Sequence, residues 1–222
     1  MKPVRWVGSA LDDLRAFPED VQDVFGFALF QVQEGKHPVT AKPLRGFGPG
    51  VLELVDDFDS DTYRAIYTVR FQSAVYVLHA FQKKAPRKIK TAQRDLDLIR
   101  ARLVRVRAME AAQQTGEEQI AVHEGSGNIF ADLGLPDAEE LLVKAAVVSR
   151  LSDLINERGI TQAQVATLLG IDQPKVSALL RGRLRGFSLE RLLSFLIALD
   201  QDVDIVVHHK TAQRSRLSVI AS

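Results

Sequence analysis

The sequence predicts an α+β protein: an N-terminal helix-helix-antiparallel sheet-helix domain, followed by an all-α helix-turn-helix domain with a short C-terminal strand. Three observations predict it. A helical opening is followed by three runs rich in β-branched and aromatic residues. A stripe of apolar residues at helical spacing then closes the first half. In the second half, two short amphipathic segments flank a single glycine, Gly170. Residues 1–110 are read as one domain, 111–136 as a linker or acidic strap, and 137–222 as the other domain.

Residues 9–35 read as helix. Pro18 suits the first turn of a second helix, where a missing N–H is harmless. From there Val21, Val24, Phe25, Ala28 and Leu29 recur at helical spacing, and Gly35 is a stop. Residues 51–58, 63–71 and 74–82 are the strand runs, separated by short turn-like segments, so an antiparallel meander is expected. Over residues 86–107, Ile89, Ala92, Leu96, Ile99 and Leu103 form one helical stripe. Residues 108–137 are polar and glycine-bearing, without periodicity. The tail DVDIVVHH alternates like a strand.

Composition narrows the chemistry. There is no cysteine, which excludes disulfides and thiolate metal sites and fits a reducing cytoplasm. The N-terminus lacks the apolar run of a signal peptide or anchor, and no stretch approaches a membrane span, so no membrane partner is expected. Asp57, Asp59 and Asp61 alternate like the start of a calcium loop, but Thr62 and Thr68 stand where glycine and glutamate are needed. They read as a solvated turn, and no metal or cofactor is expected. GFGPG at 46–50 reads as a turn.

The net charge of +1 hides an uneven distribution. Residues 64–107 hold 12 Lys and Arg against Asp95 and Asp97 alone; residues 117–140 hold seven acids and no Lys or Arg. In the basic block, strand alternation puts Arg64, Thr68 and Arg70 on one face, and His79, Phe81 and Lys83 on another. The next helix puts Arg87, Lys90 and Arg94 on one side. An aromatic among cations suits RNA, because bases stack while cations hold phosphates. Lys, Arg and His can also share the proton transfers and charge stabilisation of RNA cleavage by its own 2′-OH without a metal.

Residues 161–181 carry the second chemistry. Thr161 caps a helix that buries Val165, Ala166 and Leu169; Gly170 turns the chain; Asp172 caps the next helix, with Pro174 in its first turn. Val176, Leu179 and Leu180 point inward. Gln173, Lys175, Ser177 and Arg181 are left outward, where a recognition helix meets base edges and phosphates. Arg183 and Arg185 follow in a basic loop suited to phosphates.

The run QAQVATLLGIDQPKVSALLRGRLRGFSLERLLSFLIAL resembles the Cro/XRE repressor family, and more narrowly the HigA-type antitoxins, over about residues 120–208. The resemblance implies a five-helix domain that forms a homodimer on an operator palindrome. It implies Gln162 as a phosphate contact and Gln173, Lys175 and Ser177 as readers. In the first half, KPLRGFGPGVLELV, YRAIYTV and VLHAFQKKAPRKI…AQRDL resemble the RelE/HigB toxin superfamily in its phage-related branch. That resemblance implies a ribosome-dependent mRNA endoribonuclease. It marks Arg64, Tyr67, His79, Lys83, Lys84 and Arg94 as catalytic and Phe81 as an RNA contact, with Arg64 and Arg94 on phosphate charge and Lys83 or Lys84 on proton transfer or phosphorane stabilisation. Lys42 and Arg45 are further candidates for RNA contact.

The expected function is a fused toxin-antitoxin protein that binds its own operator, with the toxin half neutralised in the same chain or by a dimer partner. A non-enzymatic regulator with a degenerate toxin-like dimerisation or RNA-binding domain is the alternative. Residues 118–136 mix acids with Ile120, Val122, Ile129, Phe130, Leu133 and Leu135. This strap is expected to lie on the first domain, apolar side chains docked and acids facing the basic block.

Overall fold

The computed structural model describes residues 1–83, 93–112 and 122–206 in full, the backbone of 89–92 and 113, and the isolated positions 209 and 219. Elements are numbered in chain order: β1 (Val4–Val7), α1 (Ala10–Arg15), α2 (Glu19–Gln33), β2 (Ala41–Pro43), β3 (Val51–Phe58), β4 (Asp61–Thr68), β5 (Val75–Lys83), α3 (Ile89–Gln113), β6 (Val122–Glu124), α4 (Ile129–Asp132), α5 (Ala138–Arg158), α6 (Gln162–Leu169), α7 (Gln173–Leu180) and α8 (Leu189–Ala198).

The expected meander is β3-β4-β5. It sits inside a six-stranded sheet of order β2-β3-β4-β5-β1-β6, in which only β1 and β5 run parallel. The β3–β4 hairpin turns on Asp59 and Ser60, both at positive φ, so the DDFDSD segment is a tight two-residue turn. β1 has no sequence signal of its own. It is four residues long and apolar on both faces, as a strand buried in mid-sheet must be.

Helix α3 covers one face of the sheet, packing Ile99, Leu103, Val106 and Met109 against Ile66, Tyr76 and Leu78. The other face carries α2, and α2 in turn carries the helical half. One core cluster runs from Trp6 and Phe25 through Phe130 and Leu141 to Val176, Leu184 and Phe195. The two halves therefore share a core.

The strap follows the expectation in part. Ile129, Phe130, Leu133 and Leu135 are buried in the shared core, and β6 extends the sheet beside β1. Ile120 lies outside the described residues. The described acids do not face the basic block, which corrects the expected charge pairing. Glu124 meets Arg5 at 2.8 Å. Asp132 accepts from the Trp6 indole at 3.3 Å and from the Ser126 backbone at 2.7 Å. The apolar residues decide where the strap docks, and the acids pair with the groups at that edge.

The tail differs as well. Residues 201–206 form no strand; residues 207–208 lie outside the described set. Among the described residues no helix is long and apolar enough to cross a membrane.

Gly26 marks the tightest contact between α2 and the strap: a Cβ there would stand 2.7 Å from the ring of Phe130, which is fully buried. Gly→Ala in a helix ordinarily stabilises by up to ~1 kcal/mol. Here Gly26→Ala is expected to destabilise by about 1–3 kcal/mol through overpacking. Adding Phe130→Leu should recover part of that loss, giving a strongly non-additive cycle. Urea denaturation of the three variants measures it.

Candidate nucleic-acid interface

The α6–α7 pair is built locally. Thr161 and Gln164 form a reciprocal capping box: the Gln164 N–H donates to the Thr161 hydroxyl at 3.3 Å, and the Thr161 N–H donates to Gln164 Oε1 at 2.8 Å. Gly170 ends α6 in the left-handed region at φ 63°. Pro174 lies in the first turn of α7, but Asp172 makes no side-chain cap. Its carboxylate turns to the Lys175 ammonium at 3.1 Å instead, which corrects the expected capping role.

Val176, Leu179 and Leu180 are buried as the periodicity requires. Gln173, Lys175 and Arg181 are exposed, and Ser177 is half-buried beside them. Gln162, at the start of α6, accepts a 2.8 Å hydrogen bond from the Gln173 amide. That bond holds the two helices' polar ends on one surface.

Arg183 and Arg185 depart from expectation. Arg183 reaches Asp56 on β3 at 2.8 Å and Asp20 on α2 at 3.6 Å, and lies over the Phe58 ring. Arg185 reaches Asp23 on α2 at 2.7 Å and Asp137 at 2.8 Å. Asp23 and Asp56 are 1% and 3% exposed. A buried carboxylate without a counter-charge is costly, so these arginines are committed to the seam between the halves and are withdrawn from phosphates. Sequence reasoning missed their partners. The available signal was an aspartate, Asp23, on the otherwise apolar stretch from Val21 to Leu29 that also holds Gln22.

Burial pushes the Asp23 carboxyl up to about 6, and Arg185 holds it from rising further. Burial likewise raises Asp56, opposed by Arg183 and then Arg181.

The basic face around the sheet is less converged than the alternation implies. Arg64 is paired with Glu53. Tyr67 is 1% exposed and packs in the core on the α2 side of the sheet, away from Ile66 and the α3 side. This corrects its candidacy as a catalytic residue: its side chain is out of reach of solvent, and burial alone pushes its hydroxyl well above its ordinary value.

His79 is buried between Asp13 at 3.5 Å and Asp95 at 3.4 Å, and stacks on Phe81 at 5.2 Å. Burial lowers its pKa, opposed by the Asp95 hydrogen bond. Arg102 donates to the Leu78 carbonyl and to Ser9 at 2.7 Å each. Arg70 donates to the Phe47 and Pro49 carbonyls, stitching down the GFGPG turn.

Lys83 and Arg94 are exposed on this side, and Lys42 and Arg45 are exposed near the β2 edge. Lys84 and Arg87 lie outside the described residues, as does the side chain of Lys90. Among the described residues no group of three or more His, Asp or Glu is placed to hold a metal.

Two family models match separate parts of the chain. Residues 12–104 match the phage-derived Gp49-like family, and residues 129–208 match a helix-turn-helix domain family. A solved structure described as an XRE family transcriptional regulator is 48% identical; the match covers 39% of this chain and 100% of that one, at a TM-score of 0.37. No curated protein matches.

The seam pair predicts a pH dependence. With Asp23 raised to about 6, above its ordinary ~3.9, the folded protein binds more protons than the unfolded chain between those values. Its contribution to stability is full below pH ~4 and is lost as pH rises through ~6. Arg185→Met should move that loss upward. The variant is expected to lose about 3–5 kcal/mol near pH 8 and markedly less near pH 5. Adding Asp23→Asn should abolish the difference between the two pH values in urea denaturation.

Proposed function

With a Gp49-like domain and an XRE-like helix-turn-helix domain joined in one chain, we propose a fused toxin-antitoxin regulator. In this reading the C-terminal half binds operator DNA as a pair of copies on a palindrome and represses its own promoter. The N-terminal half is a RelE-type, HigB-like mRNA endoribonuclease of the ribosome, held inactive by the HigA-like half, with domain limits near 1–110 and 137–222.

One arrangement supports this reading best. The helix-turn-helix domain clasps the Gp49-like domain through Arg183–Asp56 and Arg185–Asp23, while the outward face of α7 carries no part of that clasp. Restraint and DNA recognition thus use different sides of one small domain. In the reaction proposed, Arg64 and Arg94 offset phosphate charge, and Lys83 or Lys84 serves proton transfer or phosphorane stabilisation.

A specific observation favours a second reading, in which the N-terminal domain is a non-enzymatic part of a transcription regulator. Arg64 is tied to Glu53, His79 is held between two carboxylates, and Tyr67 is buried.

Two measurements separate the readings. Residues 1–110, purified and shown to be folded, are expected to cleave mRNA on ribosomes and to arrest growth when expressed. Arg94→Ala should slow that cleavage about a hundredfold. The full chain carrying Arg183→Glu and Arg185→Glu should become toxic as well. A folded, harmless N-terminal domain together with a harmless full-length variant establishes the second reading.

A further inference from the structure

Besides Lys175, which pairs with Asp172 on α7 itself, four cations lie near the recognition helix, and the structure sorts them. Arg183 and Arg185 are committed to buried carboxylates. Arg181 at the end of α7 and Lys42 on the edge strand β2 are exposed; neither makes a direct ion pair among the described residues, and Arg181 acts on Asp56 only at longer range, helping to lower its carboxyl. These two line the same groove, about 230 Å³, between the two halves of the molecule. Gln162 and Ser177 line it from the helix-turn-helix side, and Thr40 and Asp57 from the sheet side. Thr40 is 8% exposed, yet its hydroxyl has no partner, which is costly unless a ligand or solvent satisfies it. Asp57 is the one acid here, and its carboxylate accepts a 2.6 Å hydrogen bond from Thr62.

The groove therefore presents two cations without a direct ion pair among the described residues, an amide, the Ser177 hydroxyl and one hydrogen-bonded acid, with the unsatisfied Thr40 hydroxyl buried in its wall, on the side of α7 that carries Ser177. That is the chemistry of a phosphodiester backbone. We propose that duplex DNA runs its sugar-phosphate backbone along this groove, so that Lys42 of the Gp49-like domain holds a phosphate beside those held by Arg181 and Gln162. This rests on the DNA-binding reading above and extends it: the N-terminal domain is part of the DNA-binding surface, and the interface is composite. The geometry follows from the seam. The clasp that fixes β3 against the loop after α7 also brings the neighbouring β2 edge alongside the recognition helix.

Each phosphate neutralised contributes about 0.9 to the slope of log affinity against log salt on duplex DNA. The full chain is titrated against the duplex upstream of its own reading frame and against a mixed-sequence duplex, over a salt series. Lys42→Ala is expected to lower the slope by about 0.9 on both duplexes, leaving the ratio between them unchanged. Asp57→Asn should tighten both. Arg105→Ala, an exposed cation on α3 across the sheet, should leave the slope as it was.

A Lys42→Ala variant with the unaltered slope overturns the composite surface while the DNA-binding reading stands. An unaltered chain that binds neither duplex removes both. A Lys42→Ala variant that loses affinity only for single-stranded RNA of the same sequence overturns the proposal in favour of an RNA contact.

Discussion

Helix α2 is covered on every side, with each residue from Val21 to Gln33 buried. A helix buried around its whole circumference, with its few polar side chains (Gln22, Asp23, Gln31 and Gln33) buried too, has no face to give to water. It needs a sheet beneath it and helices above. The sheet supplies the first through Leu54, Tyr67 and Val77; α4, α5 and the loop after α7 supply the second. At Gly182 that loop comes so close that a Cβ would stand 2.6 Å from Phe27. The docked strap and the core shared by the two halves follow from this demand for cover.

Apolar contact alone would leave the relative register of the two halves loose, since hydrophobic association is non-directional. The charges at the seam make it specific. Asp23 and Asp56 are buried with one arginine each as principal partner, and Lys36 bridges Glu34 and Asp153 at 2.9 Å and 2.8 Å farther along α2's end. Such pairs contribute little net stability against apolar replacements, but breaking one leaves a buried charge. They select the arrangement in which each carboxylate has its cation, at the expense of any other docking of the same apolar faces.

That selection has a functional consequence. Two of the three arginines that follow α7, Arg183 and Arg185, are held by the seam, while Lys42, well over a hundred residues away, is brought alongside Arg181. The charge that meets a polyanion is thus determined by tertiary pairing, and a count of basic residues along the chain misassigns it. The same holds around His79, where Asp13 from α1 and Asp95 from α3 converge on a strand residue and turn an apparent free base into part of a buried network.

What the sequence by itself determined is local. The β3-β4-β5 meander, the apolar stripe of α3, the Thr161 cap, the Gly170 turn and the inward triad Val176, Leu179 and Leu180 all rest on interactions within a few residues, so periodicity and capping reveal them. The outward polar face of α7 was legible for the same reason. What only the tertiary structure decided is every property that depends on a distant partner. β1 is a strand because β5 and β6 lie beside it. Tyr67 is core because α2 covers that face of the sheet. Arg183 and Arg185 are seam residues because buried aspartates more than a hundred residues away require a counter-charge. An exposed cation and a committed one are identical in sequence; the difference is the free energy of an unpaired carboxylate brought out of water by the fold.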